Sequence, residues 1–281
     1  MGLGRAGSST LSAYAERSYV RLPVALGQGQ LHMRQRHNPG QPVLVLLHQT
    51  PSHSGMFEAL MRSLDGDFDL IALDTPGFGQ SDPLPEAFTI AGAARALHAA
   101  ISAVHSGPFY LFGHHTGAAL ALQLAQDFPL RVGALALSGP CLLSEKLAQT
   151  LRNAQWMPDA DAEGQFLQSL WQRMRQKDSN APARITLREL AAAVMAGPTY
   201  DAAYAAVTQV DTAAQLAAVR CPLWLGSGDA DVLYKSWEQA CAMRPEARAK
   251  VFPGGSSYLC DLSPDLVATE LRAFFSEAAH G

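Results

Sequence analysis

Six short apolar runs, at residues 43–47, 70–73, 109–112, 132–137, 223–225 and 249–252, are flanked by Gly, Pro or Asp, and stretches with helical spacing lie between them. Runs of this length, mostly rich in β-branched or aromatic residues, predict strands buried on both faces, as in parallel sheets. Segments 56–64, 90–104 and 118–126 place apolar residues three and four apart with a polar side, which predicts helices. A repeated strand–helix–strand series commits the chain to an α/β fold with a mostly parallel, doubly wound sheet. Two earlier segments, 19–23 and 30–34, alternate polar and apolar residues around Gly27, Gln28 and Gly29, predicting an antiparallel hairpin at one sheet edge.

From about residue 142 to residue 212 the strand signal stops. Helical periodicity over 144–155, 162–176, 186–196 and 200–210, punctuated by Pro158, Pro182 and Pro198, predicts a helical lid inserted after the sixth strand. Such an insertion lies over the carboxyl ends of the strands, where ligands of these folds bind. The expected organisation is an N-terminal extension at 1–18, a core at 19–141 and 213–281, and a lid at 142–212. The lid's large apolar residues are Trp156, Met157, Trp171, Met174, Met195, Tyr200 and Tyr204. Most of them are expected to pack the lid onto the core, with Trp156 and Trp171 as candidates for substrate contact.

Charge and cysteine content remove several function classes. Lys and Arg number 21 against 25 Asp and Glu, for a net charge of −4. The densest basic cluster, Arg173, Arg175 and Lys177, reads as a solvated helix face, so nucleic acid is not an expected partner. No window holds eighteen consecutive apolar residues and the first eighteen residues lack the apolar block of a secretory signal, so a cytoplasmic protein with no membrane partner is expected. Cys141, Cys221, Cys241 and Cys260 show no Cys-x-x-Cys spacing, which favours reduced thiols over a zinc or redox site. With no metal-ligand cluster and no G-x-G-x-x-G after a first strand, the sequence calls for no metal and no cofactor. The expected partner is a small-molecule substrate, and the pattern fits a monomer or a homodimer equally.

The chemistry concentrates at Gly113-His114-His115-Thr116-Gly117, between a predicted strand and a predicted helix. Glycines four apart at such a junction permit a very tight bend that forces the middle residue into strained backbone geometry. The motif resembles the nucleophile elbow, G-x-S-x-G, of the α/β-hydrolase fold family, with His115 where the serine would stand. His48-Gln49-Thr50-Pro51 resembles that family's H-G-x-P oxyanion loop, and Asp74-Thr75-Pro76-Gly77-Phe78-Gly79-Gln80-Ser81 resembles its D-x-P-G-x-G-x-S turn. The likeness runs from about residue 19 to residue 275. It implies an α/β-hydrolase fold and cleavage of esters, amides, epoxides, halides or C–C bonds, with some lyases among the members. It also implies that the acid position falls on Asp231, with Asp229 as near neighbour. The position of the family's histidine, in the loop Pro253-Gly254-Gly255-Ser256-Ser257-Tyr258, falls on Ser257. Serine and histidine have exchanged places.

Without a serine at the elbow, no acyl group can be transferred to that residue. His115 is instead expected to be a general base, oriented by Asp231 directly or through Ser257, acting on a water or on a substrate C–H or O–H. General-base catalysis is worth about 10²- to 10⁴-fold, so charge stabilisation and positioning must supply the rest. The resemblance implies that the Thr50 and Thr116 N–H groups form the oxyanion hole. Ser257 is either a polar contact or, in the exchanged arrangement, a nucleophile with His115 as its base. His48, Gln49, His53, His114, Cys141 and Tyr258 are candidate substrate-binding residues, with scaffold roles open for His48 and His114. Gln49 is notable because the family has a small glycine there. The expected function is an enzyme acting on a small or medium apolar carbonyl substrate, such as an ester or lactone, without a serine acyl-enzyme. A cofactor-independent lyase or decarboxylase working through an enolate remains open, as does a catalytically inert ligand-binding protein.

Overall fold

A computed structural model describes residues 14–280. Eight strands form one sheet: β1 (Glu16–Arg21), β2 (Gln30–Arg36), β3 (Val43–Leu47), β4 (Asp69–Leu73), β5 (Phe109–His114), β6 (Val132–Ser138), β7 (Leu223–Gly228) and β8 (Arg248–Phe252). Their order is β1-β2-β4-β3-β5-β6-β7-β8. β2 is antiparallel to both β1 and β4, and β4, β3, β5, β6, β7 and β8 run parallel. The hairpin begins at Glu16, earlier than the expected core boundary at 19, because Glu16 pairs with Gln35 and an edge strand needs no buried face to join a ladder. Residues 1–13 of the expected extension lie outside the described residues.

The alternation that defines a strand is visible in β3. Val43, Val45 and Leu47 enter the core on one face, and Leu44 and Leu46 enter the core on the other. All five are buried, each contributing about 1.5–3 kcal/mol by leaving water. This double burial is why the run is continuously apolar. Helices α1 (Glu58–Ser63), α2 (Ile90–Val104) and α3 (Thr116–Asp127) connect the first parallel strands. Between β6 and β7 stand the insertion's helices α4 (Glu145–Asn153), α5 (Gln165–Lys177), α6 (Ala183–Ala196) and α7 (Pro198–Val207), and then α8 (Thr212–Ala218), which leads into β7. The prolines act where their chemistry places them: Pro182 caps α6 and Pro198 occupies the first turn of α7, which has no intrahelical use for its missing N–H. α8 packs back onto α3, followed by α9 (Tyr234–Met243), α10 (Leu259–Leu262) and α11 (Pro264–Ala278). Among the described residues, no helix is long and apolar enough to cross a membrane.

The strand order determines where a ligand can sit. After β3 the chain crosses to β4 on one side, and after β4 it returns to β5 on the other. The loops leaving β3 and β5 therefore diverge and open a crevice at their carboxyl ends. The segment after β3 carries Thr50, and the turn after β5 carries His115. The four-helix insertion rests above them, with Phe78 packed among Leu170, Met174, Ala193, Ala196, Tyr200 and Ala203.

Candidate active site

His115 has φ 52° and ψ −116°, in a region that costs a non-glycine residue about 1–3 kcal/mol. The turn holds because its neighbours carry no side chain. A Cβ on Gly113 would lie 2.3 Å from the Gly117 carbonyl oxygen, and one on Gly117 would lie 2.1 Å from that of Leu47. The strained turn delivers the His115 ring to Asp231, where Nε2 and Oδ2 are 2.8 Å apart. Asp231 receives a second donor, the Leu233 N–H, at 2.7 Å. Burial opposes the charge on Asp231, yet the adjacent His115 ring and these donors hold its carboxyl below the usual range. An ionised carboxylate can only accept, so Nε2 carries a proton, and in the neutral ring the lone pair is then on Nδ1. Nδ1 has no partner among the described residues and is not sealed from solvent. Asp229 instead accepts the Gly254 N–H at 2.7 Å, so Asp231 and not its neighbour meets the ring. A third glycine makes room: a Cβ on Gly139 would lie 2.6 Å from Cδ2 and 2.8 Å from Nε2 of His115.

Thr50 and Thr116 flank this ring. Their backbone N–H groups donate to no described residue, and Thr116 opens α3, where the helix dipole adds positive potential. His48 aims the first of them. The Thr75 N–H donates to His48 Nε2 at 2.9 Å, so the other ring nitrogen, Nδ1, carries the proton and donates to the Gln49 carbonyl at 2.8 Å. Because the peptide is planar, pinning the Gln49 carbonyl turns the Thr50 N–H the opposite way. The Thr50 carbonyl is itself held by the Tyr204 hydroxyl at 2.9 Å and Lys177 Nζ at 3.2 Å.

His115, Thr50 and Thr116 line a cavity of about 240 Å³ roofed by the insertion. Cys141, Leu143, Leu147, Leu151, Trp156, Tyr200, Tyr204 and Val207 supply most of the wall, with Arg173 and Lys177 at one side. Arg173 and Lys177 correct the expectation of a solvated face. They stand at the edge of the stripe formed by Leu170 and Met174, both buried, and are drawn inward with it. Burial pushes the Cys141 thiol up to about 12, which leaves it protonated and unsuited to nucleophilic attack.

Several expected contacts are not made. The Ser257 hydroxyl is sealed and has no hydrogen-bond partner among the described residues, and it bonds neither His115 nor Asp231. The His115 ring reaches Asp231 directly, leaving Ser257 no bridging position. His114 is fully buried behind the elbow: Nε2 donates to the Ser257 carbonyl at 3.0 Å and Nδ1 accepts from the Ser138 hydroxyl at 2.9 Å. His48, as above, is spent on backbone, and His53 accepts the Gly55 N–H at 3.0 Å. Gln49 turns away to Glu189 at 3.2 Å, and the Tyr258 hydroxyl donates to the Met174 carbonyl at 3.3 Å. Neither these residues nor Trp171 line the cavity. His114, His115 and Asp231 bring one potential metal-ligand atom each within 4.8 Å of one another. Both His114 nitrogens are already engaged, so this cluster does not fit a three-ligand metal site.

The polar residues displaced from the cavity build a clamp. Glu189 on α6 is fully buried and accepts from Ser52 at 2.8 Å, from Gln49 at 3.2 Å and from Arg188 at 2.8 and 2.9 Å. Arg188 also grips Asp261 on α10, at 2.5 and 2.9 Å. Burial pushes the Asp261 carboxyl up even beside Arg188. The insertion is thus tied by charge to the loop carrying Thr50 and to the helix after Ser257.

Burial also keeps His114 neutral, lowering it to about 3 from an ordinary 6.5. The unfolded chain binds more protons than the folded one between these values. Stability is therefore complete above pH 6.5 and declines as pH falls through that window. His114 alone removes about 2 kcal/mol at pH 5 relative to pH 7.5, at about 1.4 kcal/mol per pH unit. His53, lowered to about 4, and His48 act in the same direction. Urea denaturation at the two pH values measures the difference, and equal midpoints would contradict it.

Comparison with known proteins agrees with this architecture. The family model for the alpha/beta hydrolase fold matches residues 42–210. RutD of Klebsiella pneumoniae subsp. pneumoniae, named as a carbamate hydrolase, is 38% identical over 100 residues, 35% of this chain and 38% of that protein. The chain thus spans less than half the length of that relative. The 2-(acetamidomethylene)succinate hydrolase of Mesorhizobium japonicum is 24% identical over 271 residues, covering 91% of this chain and 95% of that one. A thermophilic esterase from Thermogutta terrifontis superposes with a TM-score of 0.78 at 21% identity, over 94% of this chain and 99% of that one.

Proposed function

The chain belongs to the α/β-hydrolase fold family, and from that premise we propose that it hydrolyses a small carbonyl substrate using His115 as a general base on water. The observation that carries the reading is the His115–Asp231 pair, whose histidine lines one cavity together with Thr50 and Thr116, residues with backbone N–H groups that donate to no described residue. Nδ1 takes a proton from water as the oxygen attacks the carbonyl carbon. The carbonyl oxygen gains charge between the Thr50 and Thr116 N–H groups, where losing one donor costs about 3–4 kcal/mol. Asp231 stays ionised and stabilises the imidazolium through Nε2–H. The imidazolium then returns its proton to the departing oxygen or nitrogen, which balances the cycle. The insertion serves as a lid that keeps bulk water from the reacting groups.

The relatives' names favour hydrolysis of an amide-like or ester carbonyl over an enolate lyase reaction, although the same base suits both. The sealed hydroxyl of Ser257 argues against its serving as nucleophile. A panel of 4-nitrophenyl esters and anilides tests the proposal together with a fluorophosphonate probe. The expected result is turnover that the probe does not inhibit, no label on Ser257, and undiminished kcat/KM in Ser257→Ala. Stoichiometric labelling of Ser257 with loss of turnover would overturn the reading.

A further inference from the structure

Lys177 and Arg173 give the cavity a charge that its own wall does not cancel. No Asp or Glu lines it, and neither cation has a carboxylate partner among the described residues. Arg173 is spent on fixed groups: its guanidinium donates to the carbonyls of Gln155 and Trp156 and lies 5.1 Å from the centre of the Trp156 ring. Lys177 is differently placed. The residue is half-buried, its ammonium has three donors, and its one described partner is the neutral Thr50 carbonyl at 3.2 Å. An ammonium at the cavity wall with one neutral acceptor has donors to spare, and a ligand carboxylate at that point would make charge-assisted hydrogen bonds.

The position of Lys177 relates this charge to the reaction. It contacts the carbonyl of the residue whose N–H is the first proposed oxyanion donor, and it lines the same cavity as His115, so an anion bound there shares that cavity with the carbonyl under attack. Leu143, Leu147, Leu151 and Val207 make much of the remaining wall apolar, which favours a short chain with one charged end over a polyanion. We infer that the substrate carries a carboxylate close to the reacting carbonyl and that Lys177 binds it. The inference rests on the proposed hydrolysis at His115 and assigns that site its substrate class.

Monoethyl and diethyl succinate, followed by pH-stat, present the same ester with and without the neighbouring charge. The wild-type protein is expected to prefer the monoester by at least about tenfold in kcat/KM, the scale of a hydrogen bond to a charged group. The ratio should collapse towards one in Lys177→Met, persist in Lys177→Arg and invert in Lys177→Glu. A wild-type ratio of one, or a Lys177→Met variant that keeps the preference, overturns the inference while leaving the hydrolysis proposal standing. If neither ester turns over, the hydrolysis proposal fails and calorimetric titration with succinate decides the subsite. Succinate binding that weakens at least about tenfold in Lys177→Met supports it, and absence of binding to the wild type overturns it.

Discussion

Replacing His115 with alanine is expected to lower kcat/KM by about 10²- to 10⁴-fold, the range for loss of a positioned general base. The fold should survive, because alanine needs the same strained turn and Gly113 and Gly117 keep their close approaches. Gly139→Ala separates position from presence. It leaves the imidazole in the chain but puts a methyl carbon 2.6 Å from Cδ2 at a position with φ +60°, so the ring or the turn facing it must shift and the contact with Asp231 is disturbed. Turnover should fall towards the His115→Ala level, and circular dichroism should remain native. Full turnover in His115→Ala would remove the base from the account.

The second large effect concerns the clamp. Glu189→Ala removes the acceptor shared by Ser52 and Gln49, beneath the insertion, and by Arg188 on α6 itself. Removing one partner from a buried charge network costs about 3–5 kcal/mol, because the remaining groups are left without water or acceptor. Urea denaturation should record that loss. Glu189→Gln, which keeps one acceptor oxygen and the side-chain volume, should lose less. Since Gln49 and Ser52 bracket Thr50, activity should fall in parallel as the Thr50 N–H, the proposed oxyanion donor, is displaced. A loss of stability below about 1 kcal/mol would show that the clamp contributes no more than an exposed pair.

The sheet was legible because its strands are buried on both faces and so spell continuous apolar runs, as in β3. The elbow was legible because close backbone approach demands glycine at Gly113 and Gly117, whatever residue stands between them. The polar surroundings were not, since a sequence places a residue near a site without saying which way it turns. His114 lies two residues beyond Phe112 and so shares its face of the sheet, away from the cavity. Lys177 was hidden for a related reason. A cation bordering a buried helical stripe and a cation in water have the same local pattern, and the difference lies in what packs against the helix. His115 was legible as an unusual base candidate, but the choice of Asp231 over Asp229 needed the turn after β7, where Leu233 donates to one and Gly254 to the other.

Mass spectrometry of the intact protein, acid-quenched during steady-state turnover of an ester, tests the central claim most directly. Hydrolysis by water activated at His115 predicts the unmodified mass at every time point while product accumulates. A species heavier by the acyl group, located by peptide mapping to Ser257 or His115, would contradict it.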